Sequence, residues 1–457
     1  MNRLFNLVIF FSIALSFDFG PNVHVASDNS DQKFPDIHID ENGTIHTVWV
    51  QVSGNSKNIY YSYSEDGGIN FSESVRVNTV SNHIIAYVGA GPRVRTYGDS
   101  IYVIWADSRN GYNNTSIFLN QSTNSGQNWI DEVIISDQPN FQLYGEIEVD
   151  DQGILHIIYY NYGSSLHFEN IRYSWINLEG MLLYESISLG VTTVNDEPCD
   201  CCAPDMTVSP PGDVYIAYRN NISNIRDHYI VKKLVNENTF SSPQLIAEMN
   251  HYISFCPSSS PSIDVEGDQI FSGFMSMGST NTYFTMGNTD LLFDNPQDVN
   301  EASSSSSQQN YPSVVLDNGV GHIAWVDFSS GGGDIRYGNF NPNTMEIMDI
   351  QTINDDMGNA MQTNPIIKNY NGNIYCVWAD DRGADYQIYF ASSENIDITA
   401  GDINQDDMIN ILDIVSLVNF ILGVDSPDVI EQLAADMDSN GILNILDIIQ
   451  IINIILV

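Results

Sequence analysis

Residues 34–49, FPDIHIDENGTIHTVW, alternate polar and apolar residues, turn at Asn42 and Gly43, and alternate again up to an aromatic residue. The phrase recurs six times, as GPRVRTYGDSIYVIW (91–105), GEIEVDDQGILHIIY (145–159), APDMTVSPPGDVYIAY (203–218), SPSIDVEGDQIFSGF (260–274), YPSVVLDNGVGHIAW (311–325) and NPIIKNYNGNIYCVW (364–378). Successive lead residues lie 51 to 59 positions apart: Pro35, Pro92, Gly145, Pro204, Pro261, Pro312 and Pro365. The body of the chain is therefore a sevenfold repeat of a strand pair.

A repeat of this length with several short strands is typical of a β-propeller blade. Two further strand candidates follow each pair, such as IYYSYSE and SVRVNTV, so we expect four strands per blade. The seventh unit stops after its third strand, YQIYFASSE, whereas NVHVASDN precedes the first unit and could complete the last blade. The sequence thus predicts a mainly β fold with a closed seven-bladed propeller, and a solenoid is the alternative.

Two segments near the C-terminus share one spacing of oxygen-bearing residues. The first segment places ligands at positions 1, 3, 5, 7, 9 and 12 of a loop: Asp402, Asn404, Asp406, the Met408 carbonyl, Asn410 and Asp413. The second repeats the spacing with Asp436, Asp438, Asn440, the Ile442 carbonyl, Asn444 and Asp447. This is the ligand spacing of a calcium-binding EF-hand loop. Each loop precedes a segment with helical apolar periodicity, and the last 57 residues contain ten acidic residues and no Lys or Arg.

This pair of loop-and-helix units resembles a dockerin module. The resemblance implies a small all-α domain with two structural calcium ions and a cohesin-type protein partner that contacts loop positions 10 and 11. Those positions are occupied by apolar pairs, Ile411 and Leu412 in one repeat and Ile445 and Leu446 in the other, where the best-known dockerins carry Ser/Thr-type pairs.

Two turns in the first blades follow the pattern S-x-[DN]-x-G-x-x-[FW]. One contains Ser64, Asp66, Gly68 and Phe71, and the other Ser122, Asn124, Gly126 and Trp129. The pattern resembles the Asp-box of sialidase-like propellers, in which it has a structural role on the blade periphery. The resemblance implies a carbohydrate-active propeller, either a divergent glycoside hydrolase or a glycan-binding module.

Charged residues occupy the position after the lead residue in the first four blades: Asp36, Arg93, Glu146 and Asp205. They could form a catalytic cluster at one mouth of the channel, or they could be solvated or mutually paired. The sialidase Arg-Ile-Pro motif has no counterpart, because the matching place is Lys33-Phe34-Pro35. Arg109 and Arg382 lie beside Asp107 and Asp380, which predicts ion pairs within a blade. Four arginines are then predicted to be free as candidates for the arginine triad with which sialidases bind the substrate carboxylate: Arg93, Arg95, Arg219 and Arg226.

The cysteines cluster in EPCDCCAPDM, with Cys199, Cys201 and Cys202, while Cys256 opens the next blade. In a secreted protein the expectation is a disulfide, between Cys201 or Cys202 and Cys256. The alternative is a soft-metal site for Cu(I) or Zn²⁺. Cys376, in a predicted strand, is expected to be a buried thiol.

The N-terminus, MNRLFNLVIFFSIALSF, has the pattern of a secretory signal peptide. We predict a signal peptide at 1–16, a propeller at 17–396 and a dockerin at 397–457, with no membrane span after cleavage. The net charge of −43 excludes nucleic acid as a natural partner, because such binding depends on Lys and Arg. The predicted function is that of a secreted or cell-surface protein in polysaccharide breakdown with a glycan ligand. The alternatives are a non-enzymatic adhesion propeller and a copper or redox protein.

Overall fold

A computed structural model describes residues 19–456 with several gaps. The gaps are 27–29, 55, 130–131, 137–139, 163–167, 179–181, 184–186, 190–197, 277–280, 300–307, 342–346, 357, 384, 394–398, 405, 407, 428 and 438–442. The predicted signal peptide lies outside the described residues, as does the predicted domain boundary between 396 and 397. No helix in the described part of the chain has the length and apolarity to cross a membrane.

Seven antiparallel sheets form the blades of a propeller, as the repeat predicts. In each blade, strand A lines the channel and strands B, C and D follow outward. Strands A to D of blade one are Asp31–Ile39, Ile45–Ser53, Ser56–Ser64 and Val75–Arg76. Those of blade two are Arg93–Tyr97 (with Ile84–Ile85 beside it on strand B), Ser100–Asp107, Ser116–Ser122 and Val133–Ile134. Those of blade three are Phe141–Val149, Ile154–Tyr162, Phe168–Asn177 and, as two short pieces, Leu182–Leu183 and Ile187–Leu189. A short 3-10 helix, Tyr112–Asn114, joins strands B and C of blade two.

Blades four to seven follow the same order. Their strands are Asp205–Val208, Val214–Arg219, His228–Lys233 and Gln244–Ala247; Ser262–Glu266, Gln269–Ser276, Asn281–Asn288 and Gln297–Asp298; Gln309–Asp317, Val320–Asp327, Asp334–Phe340 and Ile347–Thr352; and Gln362–Tyr370, Asn373–Asp380, Gln387–Ser392 and the N-terminal strand Val23–His24.

The ring closes as predicted. Val23–His24 pairs antiparallel with Gln387–Ser392, with Val23 opposite Phe390, and so completes blade seven from the other end of the propeller. Each strand A also contacts strand A of the next blade, and strand A of blade seven contacts that of blade one. Closure leaves no open sheet edge between the first and last blades, which removes a site of intermolecular strand pairing.

The hydrophobic core lies between neighbouring blades. Separate clusters fill the contacts between blades one and two, four and five, five and six, six and seven, and seven and one, and a larger cluster joins blades two, three and four. The aromatic residue that ends each repeat phrase anchors this packing, because Trp49, Trp105, Trp325 and Trp378 occupy equivalent places in strand B and are almost fully buried.

The two S-x-[DN]-x-G turns have the same hydrogen bonds. In blade one the Ser64 Oγ accepts a hydrogen bond from the Gly68 N–H at 3.0 Å, and in blade two the Ser122 Oγ accepts one from Gly126 at the same distance. The aromatic residue of each turn packs on the preceding blade, with Trp129 5.4 Å from Tyr61 between ring centroids. The turns therefore hold blades together at a distance from the channel mouth.

The C-terminal module contains the two helices predicted after the loops, α1 (Ile411–Ile421) and α3 (Ile445–Ile455), and a short helix α2 (Val429–Ala435). The N-caps of α1 and α3 are Asn410 and Asn444, and each forms a capping box with the Asp three residues later. A small core holds the helices together: Ile403, Leu417, Ala434, Ala435 and Ile451.

Candidate functional site

A cavity opens at one mouth of the channel, where all seven blades contribute equivalent residues. The lead prolines form much of its rim: Pro35, Pro204, Pro261, Pro312 and Pro365. Phe34 and Tyr311 add aromatic surface, and polar groups come from Ser258, Ser260 and Asn364. Arg93, Glu146 and Asp205 bring charge to the same cavity. An apolar rim with a few convergent polar groups is typical of a small-molecule site.

The backbone at this mouth is strained in four blades. The residue before each lead position has a left-handed conformation at Phe34, Tyr144, Tyr311 and Asn364, with φ between 54° and 56°. The pairing of strands A and B shifts register at the same places. A left-handed bulky residue is costly, and β-bulges redirect side chains near functional sites. Three of these residues, Phe34, Tyr311 and Asn364, also line the cavity, so the strain coincides with its rim in three blades.

The charged residues predicted as a catalytic cluster come together around this cavity and a deeper one of about 200 Å³. Arg93 Nε lies 2.6 Å from Glu146 Oε2, so this ion pair joins strands A of blades two and three. Arg95 lies one layer deeper, with its Nη1 3.0 Å from Asp36 Oδ2 and its Nη2 2.5 Å from Glu148 Oε1. The channel wall is therefore a network of ion pairs across three blades.

Three carboxyl groups of the channel, Glu146, Asp205 and Asp264, hold their protons more tightly than exposed carboxyls, whereas burial of Glu148 is outweighed by Arg95 and its pKa is lowered. Burial raises the pKa of Glu146 to about 7; the Arg93 guanidinium opposes this rise and the Asp205 carboxylate reinforces it. Burial also raises the pKa of Asp205, and it raises that of Asp264, deeper in the channel, to about 6. Desolvation penalises the charged form of each carboxyl. Burial therefore favours the neutral form of Glu146, whereas the Arg93 guanidinium favours its charged form.

Two of the four predicted residues also join neighbouring blades. Asp36 Oδ2 accepts a hydrogen bond from the Val94 N–H at 2.9 Å, and Asp205 Oδ2 accepts one from the Ile263 N–H at 2.7 Å. In the same way Ser262 joins blades five and six, and Ser313 joins blades six and seven, with their hydroxyl oxygens 3.2 and 3.0 Å from the Val314 and Ile367 amides. These hydrogen-bonded clamps between blades were not predicted, although short oxygen-bearing side chains recur after the lead residue in the sequence.

The arginines differ from the expectation in one respect. Arg109 pairs with Asp107 and Arg382 with Asp380, as predicted. The prediction that four other arginines are free is wrong. Arg93 and Arg95 pair with carboxylates of neighbouring blades, while Arg219 and Arg226 donate to backbone carbonyls in the interior. Contacts between blades decide these pairings, and the repeat phrase gives no register between one blade and the next.

The cysteine cluster lies beside the mouth. Cys201 and Cys256 form the predicted disulfide, and Cys376 is the predicted buried thiol. Cys199 and Cys202 remain as buried thiols with their sulfurs 3.0 Å apart. The segment leads directly into Ala203 and Pro204 of the cavity rim.

A hydrogen-bonded chain of Asp, His and Tyr recurs in blades one and three. In blade one, His46 contacts the Tyr61 hydroxyl at 2.8 Å and Asp40 at 3.4 Å; in blade three, His156 contacts Tyr173 at 2.7 Å and Asp150 at 3.4 Å. Burial raises the pKa of both tyrosines. These tyrosines are therefore poor nucleophiles, and the chains connect the A–B turn to strand C.

The first oxygen-rich loop has a donor set that fits Ca²⁺. Asp402 and Asp413 are almost fully buried, and Asp413 Oδ1 accepts a hydrogen bond from the Ile403 N–H at 2.8 Å. Asp447 is buried in the equivalent place of the second repeat, whereas Asp438, Asn440 and Ile442 lie outside the described residues. No basic side chain lies in residues 400–457 to compensate these carboxylates. Buried carboxylates without a cationic side chain, together with an all-oxygen donor set, fit a hard divalent cation.

A sequence model of the dockerin type I domain matches residues 400–456. This segment is a dockerin type I domain. Its matched range covers both loops and all three helices, so the dockerin accounts for every element after the propeller. The predicted calcium ligands and the exposed apolar pairs at loop positions 10 and 11 belong to this domain.

The propeller that precedes the dockerin has similar solved structures, whereas no curated protein matches the sequence. A polysaccharide lyase, the PL25 ulvan lyase bound to -[GlcA(1-4)Rha3S]-, aligns with a TM-score of 0.56 at 10% identity over 81% of this chain and 95% of its own. An α-L-arabinanase of Penicillium chrysogenum aligns at 0.46 and 14% identity over 82% and 98%, and the NanB sialidase of Streptococcus pneumoniae at 0.39 and 11% over 79% and 67%. At these identities the first comparison supports the propeller fold alone.

Proposed function

We propose that the propeller is a glycoside hydrolase acting on an extracellular polysaccharide at the channel mouth. The proposal rests mainly on the environment of the Glu146 carboxyl group. It is a buried carboxyl in the mouth cavity whose pKa is raised to about 7, beside the second carboxyl of Asp205. Glycoside hydrolysis needs one protonated and one ionised carboxyl on either side of the scissile bond. Glu146 is assigned as the general acid and Asp205 as its ionised partner.

Arg93 and Asp36 have supporting roles in this proposal. Arg93 holds Glu146 in place through their 2.6 Å contact, and Asp36 holds Arg95 beneath it. The prolines and aromatic rings of the rim offer apolar faces to the C–H surfaces of a sugar, while serine hydroxyls can bind its hydroxyl groups. Arg95 is paired with the Asp36 and Glu148 carboxylates, and Arg93 donates to the Glu146 carboxyl group, so neither guanidinium is open to a carboxylate of the sugar. A neutral sugar therefore suits the site better than a sialic acid.

Glycan binding without cleavage is the second candidate. The observation that favours it is the shared role of Asp36, Asp205, Ser262 and Ser313 as clamps between blades. A carboxylate that serves the fold in this way is less available as a reacting group. A binding module would retain the cavity and its apolar rim without needing a proton donor.

Turnover distinguishes the two candidates. Wild-type protein in excess calcium would be incubated with fluorogenic glycosides, sialosides included, and with extracellular polysaccharides, followed by measurement of new reducing ends. Glu146→Gln and Asp205→Asn should reduce turnover at least a hundredfold, because each removes one of the two carboxyls. The matched control is Glu73→Gln, which makes the same change at an exposed position on the propeller periphery. Unchanged turnover in Glu146→Gln would refute the assignment, and glycan retention without turnover would establish the binding module.

The dockerin, we propose, binds two Ca²⁺ ions and a cohesin-type protein. Ile411 and Leu412 at the start of α1 are 64% and 54% exposed, and Ile445 and Leu446 of α3 are 68% and 54% exposed. Two equivalent apolar surfaces of this kind suit a partner with an apolar groove. Titration of a cohesin panel tests this assignment, with loss of binding expected when Ile411 and Ile445 are both replaced by Ser. The same proposal places the protein outside the cell, as a secreted or surface protein.

A further inference from the structure

Cys199 and Cys202 form an unusual pair in the interior of blade four. Both side chains are fully buried, their sulfurs lie 3.0 Å apart, and the two residues have C-x-x-C spacing. The Cys201 sulfur lies 3.5 Å from that of Cys199 but belongs to the disulfide with Cys256. Two sulfurs are therefore available at this place, and neither faces solvent.

Two buried arginines surround the pair. Arg226 donates to the Cys199 sulfur from Nη1 at 2.9 Å and to the Ile253 carbonyl from Nε at 3.1 Å. Arg219 donates to the carbonyls of Arg226 and Met275 at 3.1 and 2.6 Å. Within the described part of the chain, neither guanidinium forms an ion pair with a carboxylate. Buried charges are costly unless an opposite charge compensates them.

As thiolates, the Cys199 and Cys202 sulfurs would supply negative charge next to the two guanidiniums. A Cys199–Cys202 disulfide would be neutral and would leave the buried Asp227 carboxylate, which acts on Arg219, to compensate two guanidiniums. Two thiolates that hold one Cu(I) carry a charge of −1, which together with the Asp227 carboxylate balances the two guanidiniums. A buried anionic pair of soft sulfur donors also matches the preference of soft metal cations for thiolates. Zinc fits less well, because a structural zinc site needs four ligands and this one offers two.

We propose that Cys199 and Cys202 bind one Cu(I) ion between their thiolates beside the channel mouth. Binding releases the thiol protons to solvent and leaves a complex of charge −1, which Arg226 stabilises through its N–H donor to Cys199. The ion would fix the segment that continues into Ala203 and Pro204 of the rim. This site does not depend on the proposed hydrolase.

The test begins with a thiol count on full-length protein prepared without oxygen. Alkylation in denaturant without reductant should label three cysteines, Cys199, Cys202 and Cys376, and leave one disulfide. Titration with Cu(I) against bicinchoninate should then show one tightly bound ion per chain and a thiolate–copper absorption band. Labelling of Cys376 alone would show a second disulfide and would overturn the proposal.

Variants locate the ion. Cys199→Ser and Cys202→Ser should each reduce Cu(I) uptake below a tenth of the wild-type amount, while Cys376→Ser, a buried thiol in another blade, should leave it unchanged. Arg226→Gln keeps both ligands and should weaken the affinity about tenfold at the same stoichiometry. It serves as the second test if a serine variant does not fold. Uptake that survives in both serine variants, an affinity unaffected by Arg226→Gln, or displacement of Cu(I) by equimolar Zn²⁺ would contradict the assignment.

Discussion

Replacing Gly126 with Ala tests the packing between blades one and two. A Cβ at this position would lie 2.0 Å from Tyr61 Cε1, and the residue has a left-handed φ of 76°. Tyr61 cannot move aside freely, because it is buried and its hydroxyl contacts His46 Nδ1 at 2.8 Å. The left-handed conformation costs Ala about 1–2 kcal/mol and overpacking costs about 1–3 kcal/mol more. We therefore expect a loss of about 2–5 kcal/mol in the free energy of unfolding.

Gly98→Ala is the matched control. Gly98 also has a left-handed φ, 53°, but no atom lies within 4 Å of its Cβ position, so this variant carries the backbone cost alone. Urea unfolding followed by tryptophan fluorescence measures both variants, because all six tryptophans lie in the propeller. The difference between the variants gives the energy of the clash. Equal destabilisation by the two substitutions would refute the packing of the Gly126 turn onto Tyr61.

Three further predictions concern metal, pH and the disulfide. Chelation of calcium should remove the helical circular dichroism of the dockerin while tryptophan fluorescence stays native, and Asp413→Ala should weaken calcium binding with the same signature; unchanged helicity after chelation would contradict the metal assignment. Burial acts to raise the pKa of Asp40, but hydrogen bonds from His46 and from the Thr44 N–H lower it to about 2. The ionised Asp40 therefore contributes fully to the free energy of unfolding above pH 3.8, and this contribution is lost as the pH falls through about 2. Asp40→Asn should therefore cost about 2 kcal/mol at pH 7 and flatten acid unfolding below pH 4, and a pH dependence equal to that of the wild type would exclude this account. Cys256→Ser opens a loop of 55 residues and should destabilise the propeller by about 2–4 kcal/mol, a cost that should vanish when wild type and variant are compared in reductant.

The sequence was sufficient to predict those features that depend on neighbouring residues or on the repeat. The spacing of the lead residues predicted seven blades, and NVHVASDN predicted the strand that closes the ring. Arg109 and Arg382 were paired correctly because their partners lie two residues away. The disulfide was predicted because its cysteines open consecutive blades.

The features that were not predicted depend on contacts between repeats, which no single repeat encodes. Arg93 reaches Glu146 of the next blade, and this pairing follows from the relative height of two inner strands. Arg226 reaches Cys199 through the fold of blade four, so its proximity to the cysteine cluster could not be read from the chain order. The left-handed residues at the mouth, such as Phe34, were also missed, because aromatic side chains give no signal for positive φ.

The pH dependence of kcat/KM, measured on the glycan that the panel identifies, shows whether Glu146 donates the proton. Glu146 must carry its proton to act as the general acid, and burial raises its pKa to about 7. We expect kcat/KM to fall as the pH rises through about 7, and the residual activity of Glu146→Gln to lack this decline. A decline of the same shape in Glu146→Gln, or a rate that rises through neutral pH, would contradict the assignment of Glu146 as the proton donor.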